Sequence, residues 1–138
     1  MTESPLYSCE RVITLRDTDA AGIVFFPRYL TLAHDAYETF LLSRGIHFGR
    51  EFTEHGLMLP VVHAECDYRA PLRLHDVARI ALWIEDLGTR KFTVGYELRN
   101  GDGQLAATVR TMHVAASVTQ GAVALPERLI AVFQAGGV

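Results

Sequence analysis

The sequence predicts an α+β domain in which a curved antiparallel β-sheet wraps around one long central helix. The first observation is an apolar stripe with helical spacing over residues 27–44. The second is a succession of strand-like segments, each bounded by turn residues: 60–69, 77–86, 90–100 and 104–118. Because one flat strand cannot cover such a helix, a curved sheet is the arrangement that buries both. A chain of 138 residues is about one domain long, so we expect a single domain over residues 1–138.

The first predicted element is a strand over residues 6–16. Ile13 and Leu15 would lie on one face of this strand. Val12 and Thr14 would lie on the other face. The pattern indicates an extended segment that leads towards the helix.

Residues 27–44 are predicted to form the central helix. Pro27 suits the first turn, where a missing N–H group costs nothing, and Gly45 is a natural stop. The residues with three-to-four spacing share the face that we expect to be buried: Tyr29, Ala33, Ala36, Tyr37, Phe40 and Leu41. Polar residues fall mostly on the opposite face, which is typical of a helix packed against a sheet.

A connection and then strands are predicted after the helix. Residues 46–59 contain two glycines and mixed charge, with a short helical piece over residues 50–55. Within 90–100, apolar side chains alternate with polar residues or glycine, which predicts one buried and one wetter face. Residues 100–103, Asn-Gly-Asp-Gly, tolerate positive φ and predict a hairpin turn. The exposed edges of such a sheet favour self-association, and residues 135–138 are expected to fray.

Composition and charge argue against several classes of protein. The chain is 49% hydrophobic and 21% charged, with a formal net charge of −3, which is typical of a globular protein without a nucleic-acid partner. Cys9 and Cys66 lack metal-ligand spacing, as do the histidines, so we predict reduced core thiols and no metal site. Neither a signal peptide nor an apolar run near the ~18 residues of a membrane span is recognisable. We therefore expect a cytoplasmic protein with no membrane partner.

The most informative stretch covers residues 16–30 and reads RDTDAAGIVFFPRYL. It places Asp17 and Asp19 after a strand, then a turn at Gly22, and then the start of a helix. On an extended chain, side chains two residues apart point to the same side. A helix start offers free N–H groups with partial positive charge. A carboxylate facing such donors suits attack on a carbonyl group whose oxygen must be stabilised.

Other functions of the two carboxylates fit the sequence less well. A glycosidase pair would be expected on separate elements of a larger cleft. A calcium loop would need a bidentate glutamate at its last position, which falls on Arg28. A magnesium-dependent phosphatase site would need an alternating parallel β/α architecture. From these residues alone, it stays open whether both carboxylates simply cap the turn and the helix.

The run from Asp17 to Tyr29 closely resembles the signature of the acyl-CoA thioesterases of the 4-hydroxybenzoyl-CoA thioesterase family. The resemblance extends to three further segments: His34–Glu38, Leu59–Ala64 and Tyr68–Pro71. These segments look most like the 1,4-dihydroxy-2-naphthoyl-CoA hydrolases within that family, and the order of elements matches over residues 6–133. The resemblance implies a hot-dog fold and hydrolysis of an aromatic acyl-CoA. It implies no cofactor, because coenzyme A is part of the substrate.

The resemblance also implies roles for individual residues. Asp19 would be the catalytic carboxylate, and the backbone N–H of Phe26 would polarise the thioester oxygen. Asp17 would orient the loop rather than react. The residues predicted to form the substrate-binding surface are Asp17, Gly22, Pro60, His63, Arg90, Lys91 and Arg128. The three cations among them would hold the phosphates of coenzyme A. Family members form dimers built into tetramers with sites between subunits, so we expect a homo-oligomer, a dimer of dimers.

Competing mechanisms find little support in the sequence. The H-x-E motif at His63 lacks the later P-C-x-x-C of zinc deaminases, and no serine nucleophile elbow is present. Cys66 lacks a recognisable activating neighbour. Two alternatives to an aryl-CoA thioesterase remain open. One is a non-catalytic acyl-CoA-binding module, in which Asp19 would be dispensable, and the other is a thioesterase for aliphatic acyl-CoA or acyl-carrier thioesters.

Overall fold

The computed structural model describes residues 4–135. Its helices are α1 (Arg28–Ser43), α2 (Phe48–His55) and α3 (Glu127–Gln134), and a short 3₁₀ turn spans Leu15–Asp17. Its strands are β1 (Tyr7–Val12), β2 (Leu57–Met58), β3 (Val61–Tyr68), β4 (Val77–Leu87), β5 (Lys91–Arg99), β6 (Leu105–Val114), β7 (Ala116–Ser117) and β8 (Gly121–Ala122). Residues 136–138, for which fraying was predicted, lie outside the described residues. The single domain over 1–138 stays a prediction.

Five strands form one antiparallel sheet in the spatial order β1-β4-β5-β6-β3. Helix α1 packs across this sheet and contacts β1, β3, β4 and β6. The short strands β2, β7 and β8 form a second sheet. The predicted α+β class, with an antiparallel sheet around a central helix, is confirmed. The position of β3 differs from simple chain order, because β3 pairs with β6 rather than β4 and becomes an edge strand.

The buried face of α1 follows the predicted stripe. Every residue assigned to that face is buried, and Leu32 joins them at 0% exposure. Gly45 follows the C-cap residue Arg44 and adopts a φ of +83°, where a side chain would be strained, so it ends the helix as predicted.

The outer face of β5 is drier than its alternating sequence predicts. Phe92, Val94, Tyr96 and Leu98 are buried against the helix side, as expected. Gly95 on the opposite face is also buried, because the side chain of Glu85 lies across it. From there, Glu85 accepts a 2.6 Å hydrogen bond from Arg110 Nε on β6. A side chain from the neighbouring strand β4 therefore covers the centre of this face of β5.

Two predicted element boundaries are wrong. The strand predicted over residues 6–16 ends at Val12, because Leu15–Asp17 turns into a 3₁₀ helix that leaves Leu15 75% exposed. The strand predicted over 104–118 ends at Val114, because the chain then bends to place β7 beside β2. By contrast, the turn at Asn100–Gly103 is confirmed, and the helical piece after α1 is confirmed as α2 with an earlier start at Phe48.

Helix α3 was not predicted. Its buried residues, Leu129 and Phe133, are four positions apart and pack into the core. This helix is only two turns long, so its apolar repeat is too short to stand out in the sequence. Over residues 4–135, no helix is long and apolar enough to cross a membrane.

Candidate active site

The loop between the 3₁₀ turn and α1 is a small hairpin. Asp17 O accepts a 2.9 Å bond from Phe25 N–H, and Asp19 N–H donates to Ile23 O at 3.0 Å. Gly22 closes the turn with a φ of +78° and donates to Asp19 O at 3.1 Å. Gly22 therefore has a clear conformational role, which explains its place in the motif without direct contact to a substrate.

The hairpin is fixed to the chain that precedes β4. Val24 N–H donates to Leu72 O at 2.8 Å, and Leu74 N–H donates to Gly22 O at 2.9 Å. Ile23 and Arg73 form an antiparallel bridge. The loop that carries both aspartates is thus held along two sides by backbone hydrogen bonds.

The two aspartates lie in different environments, so the expectation that they point the same way is wrong. The 3₁₀ turn at Asp17 rotates its side chain inward, where it is fully buried, whereas Asp19 is exposed. Burial alone would raise the pKa of Asp17, but hydrogen bonds from Thr14 and Arg28 and the charge of Arg11 outweigh burial and lower it. Asp17 therefore stays ionised as a structural anion. Its predicted role in orienting the loop fits this burial, and direct substrate contact does not.

The Asp19 carboxylate is available for chemistry. Within the described part of the chain it accepts one hydrogen bond, from Ala21 N–H at 2.8 Å. This bond fixes the side chain in an Asx turn but leaves the second oxygen open. The Asp19 carboxylate is therefore fixed in orientation and exposed to solvent, and one of its oxygens is uncommitted, with no hydrogen bond within the described residues.

The backbone N–H of Phe26 is also uncommitted. The neighbouring N–H groups already have acceptors: Phe25 N–H donates to Asp17 O, and Arg28 N–H donates to Phe25 O at 2.8 Å. Pro27 has no N–H group. Among residues 4–135, no acceptor is found for the Phe26 N–H. The peptide group that carries this N–H is fixed through its own carbonyl, Phe25 O, which accepts the Arg28 N–H. The next carbonyl along the chain, that of Phe26, accepts the Tyr68 hydroxyl at 2.8 Å. This leaves one oriented donor at the start of α1, as a developing oxyanion requires.

An apolar hollow of about 450 Å³ lies between α1, α2 and the segment before β3. Its lining residues are His34, Tyr37, Glu38, Phe48, Phe52, Leu57, Met58, Leu59 and Pro60. Pro60 therefore lines a hollow of the size that binds small molecules, and its role in substrate binding stays a prediction. Another hollow, on the outer face of the sheet, is lined by four carboxylates and one guanidinium, that of Arg110, and its net negative charge would repel coenzyme A phosphates.

His63 does not line this hollow within one chain. Side chains alternate along β3, and the register that opposes His63 to Met112 places it on the outer face of the sheet. There its Nε2 lies 3.8 Å from Glu65. The prediction that His63 contributes to the acyl pocket is thus wrong for a single protomer.

A buried chain of polar side chains, which was not predicted from the sequence, supports one wall of the hollow. His113 is fully buried, stacks on Phe92 with ring centroids 4.8 Å apart, and places Nδ1 3.3 Å from Leu59 O. Its Nε2 lies 2.8 Å from Thr111 Oγ1, which in turn contacts the Tyr96 hydroxyl at 3.3 Å. Since a carbonyl only accepts, Nδ1 carries the proton and Nε2 accepts from Thr111. Burial lowers the pKa of His113 to about 4, so the ring is neutral.

The three predicted phosphate-binding cations are not equivalent. Arg90 and Lys91 are exposed at the β4–β5 turn and form no ion pair within residues 4–135. Arg128 is instead paired with the buried Glu51 of α2, which neutralises it. The structure thus supports the first two as anion-binding candidates and corrects the assignment of Arg128. The described residues contain no cluster of three or more His, Cys, Asp or Glu side chains that could hold a metal ion.

Comparisons with known proteins show the family and the fold of the chain. The model of the thioesterase-like superfamily matches residues 13–133. A 1,4-dihydroxy-2-naphthoyl-CoA hydrolase of Synechococcus elongatus is 41% identical over 125 residues, which cover 89% of this chain and 91% of that protein. The crystal structure of a 1,4-dihydroxy-2-naphthoyl-CoA thioesterase from Synechocystis superposes with a TM-score of 0.86 at 30% identity, covering 92% of this chain and 94% of that one.

A gentisyl-coenzyme A thioesterase superposes with a TM-score of 0.81 at 27% identity, over 92% of this chain and 99% of the other. The family match spans nearly all of the described chain, and each of the two structural matches covers 92% of the chain. The predicted relationship to this group of enzymes and the predicted fold are both confirmed. The chain belongs to the thioesterase-like superfamily and adopts its hot-dog fold.

Proposed function

We propose that the protein is an acyl-CoA thioesterase that hydrolyses an aromatic acyl-CoA to the free acid and coenzyme A. The first candidate substrate is 1,4-dihydroxy-2-naphthoyl-CoA and the second is 4-hydroxybenzoyl-CoA. The observation that carries the proposal is one fixed loop with two uncommitted groups, the Asp19 carboxylate and the Phe26 N–H. The relatives named as aryl-CoA thioesterases support the choice of acyl group.

These two groups are those that thioester hydrolysis requires. The Phe26 N–H would donate to the thioester oxygen and stabilise the negative charge that develops there. Asp19 would either attack the carbonyl carbon directly or remove a proton from the attacking water. In both routes the C–S bond breaks and coenzyme A leaves as the thiolate. In the direct route, water then hydrolyses the anhydride between the acyl group and Asp19, which releases the acid and restores the carboxylate. Arg90 and Lys91 would hold the coenzyme A phosphates at the surface.

The acyl group would occupy the apolar hollow of a second copy of the chain. The hollow lies at the Pro60 end of β3 and the Asp19 loop at its Tyr68 end, about 23 Å apart at ~3.3 Å per residue. All but Cys66 of the eight residues of β3 are exposed, and β3 is a sheet edge. Antiparallel pairing of two β3 edges would bring each Asp19 loop to the partner's hollow. We therefore propose a homo-oligomer, a dimer of dimers, with shared sites.

Subunit mixing tests the shared site. Asp19→Asn removes the carboxylate, and Met58→Trp fills the hollow. Each variant alone should be inactive, whereas hybrids formed after unfolding and reassembly should regain activity from sites built of one intact half of each parent. Inactive hybrids despite verified mixing, or a fully active monomer, would contradict it.

A panel of aryl and fatty acyl-CoAs, followed by release of free thiol, tests the substrate class. We expect kcat/KM to be highest for hydroxylated aryl-CoAs, because flat apolar walls such as Phe48 and Phe52 bury a planar ring. A preference for aliphatic chains would support the aliphatic thioesterase instead. Tight binding of acyl-CoA without turnover would support the non-catalytic binding module. We also propose a cytoplasmic location, which the free thiols of Cys9 and Cys66 favour.

A further inference from the structure

We infer that Arg28 and Arg11 are positioning residues that act through the buried carboxylate of Asp17 to hold the Asp19 loop in its reactive geometry. This inference rests on the proposed function for its kinetic consequence. Its structural basis is the arrangement of charges around Asp17, which sits where β1, the loop and α1 meet.

Asp17 closes the loop with both its backbone and its side chain. Its carbonyl oxygen accepts Phe25 N–H at 2.9 Å, next to the uncommitted N–H of Phe26. Its Oδ1 accepts a 2.6 Å hydrogen bond from Nη2 of Arg28, in the first turn of α1. The residues between these anchors include Asp19, so both ends of the reactive segment are fixed to one residue.

Arg11 extends this connection to the strand and to the middle of the helix. Its Nη2 lies 3.3 Å from Asp17 Oδ1, and its Nη1 lies 2.7 Å from Asp35 Oδ2 on α1. The second oxygen of Asp17 is held by Thr14, through N–H at 2.9 Å and Oγ1 at 3.2 Å. Four donor groups thus fix one fully buried carboxylate, which leaves it no free rotamer.

The Arg28 side chain is held at a cost. Its Nε is buried and has no acceptor within the described residues, and an unpaired buried donor is destabilising. That cost is offset by the short charged bond to Asp17. Since the loop and α1 are already joined by backbone bonds, the ion pair is not needed to connect them. Its direct effect is to fix the angle at which the loop meets the helix, and hence the direction of Phe26 N–H.

Four variants of the full-length protein test the inference: Arg28→Ala, Arg28→Lys, Asp17→Asn, and the double variant that combines Arg28→Ala with Asp17→Asn. Because small displacements of reacting groups are costly, Arg28→Ala should lower kcat about 10- to 100-fold with KM nearly unchanged. Arg28→Lys keeps the charge and should recover most of kcat. In the Asp17→Asn background, Arg28→Ala should lower kcat less than about 3-fold, because the charged contact through which Arg28 acts is already lost.

Arg110→Ala is the matched control. It removes an ion pair of the same 2.6 Å length, to Glu85, on the outer face of the sheet. We expect it to leave kcat within about 2-fold of wild type, since no reacting group is displaced. A fall in kcat equal to that of Arg28→Ala would show that general loss of stability, not positioning, controls the rate, and would overturn the inference.

Amide hydrogen exchange separates this inference from the proposed function. In Arg28→Ala, or in Arg28→Lys if the alanine variant does not fold, exchange at the Phe25 and Asp19 amides should accelerate, while amides of β5 stay protected. A wild-type protein without thioesterase activity would refute the proposed function but leave this measurement decisive. Unchanged exchange at both loop amides would refute the positioning role, whatever the kinetics.

Discussion

Acidification should destabilise the protein through His113. The ring is fully buried between Phe92 and Tyr37, and burial lowers its pKa to about 4, from an ordinary value of 6.5. The bond to Leu59 O and the nearby His34 change this pKa less. The folded state therefore prefers the neutral ring, whereas the unfolded chain takes up a proton below about pH 6.5. Stability is present in full above pH 6.5 and is lost as the pH falls towards 4.

The size of the loss follows from the two pKa values. Each pH unit between them lowers the free energy of unfolding by about 1.4 kcal/mol. Between pH 7 and pH 5 the expected loss from this one group is about 2 kcal/mol, and below pH 4 it reaches about 3 kcal/mol. For a domain of this size, that is a large fraction of the total stability.

Urea unfolding of wild type, His113→Gln and His55→Gln at pH 7 and pH 5 measures this loss. His113→Gln should be less stable than wild type at pH 7 but should lack the additional loss of about 2 kcal/mol at pH 5. His55→Gln is the control, because it removes an exposed histidine at the end of α2 and leaves His113 in place. Equal pH dependence in wild type and His113→Gln would refute the reasoning.

Two further predictions concern coenzyme A and the hollow. Changing both Arg90 and Lys91 to Ala should raise KM for acyl-CoA with kcat nearly intact, and the rise in KM should be larger at low salt. Arg128→Ala should mainly lower the free energy of unfolding, because it leaves Glu51 unpaired. An equal rise in KM in both proteins would contradict the different roles of these cations. The buried hydroxyl of Tyr37 has no partner within the described residues, so Tyr37→Phe should leave the free energy of unfolding unchanged or raise it by about 1 kcal/mol. A clear fall in the temperature of thermal unfolding would contradict this prediction.

The main layers of the fold could be predicted because their signals are local. The stripe on α1 and the alternation in β5 each repeat over many residues, so side-chain burial follows directly from the sequence. The order of strands could not be predicted, because nothing local to β3 specifies β6 as its neighbour. Helix α3 was missed because only two residues, Leu129 and Phe133, carry its pattern.

The site was predictable to the extent that its motif is continuous. Asp19 and the Phe26 N–H fall within one short segment, and the structure leaves both uncommitted. The different environment of Asp17 was missed because a single 3₁₀ turn reverses the direction that an extended chain would give it. Its partner Arg11 lies on β1, and the contact forms because the same 3₁₀ turn brings Asp17 back towards that strand.

Steady-state kinetics of Asp19→Asn with an aryl-CoA substrate test the central claim most directly. The substitution keeps the size of the side chain but removes its charge and basicity, and the exposed position should leave the free energy of unfolding unchanged. We predict that kcat falls about 10²- to 10⁴-fold while KM changes little. Asp17→Asn should lower kcat by a smaller factor, because Asp17 affects the reaction only by holding the loop. An Asp19→Asn protein that folds and retains most of its kcat would contradict the account.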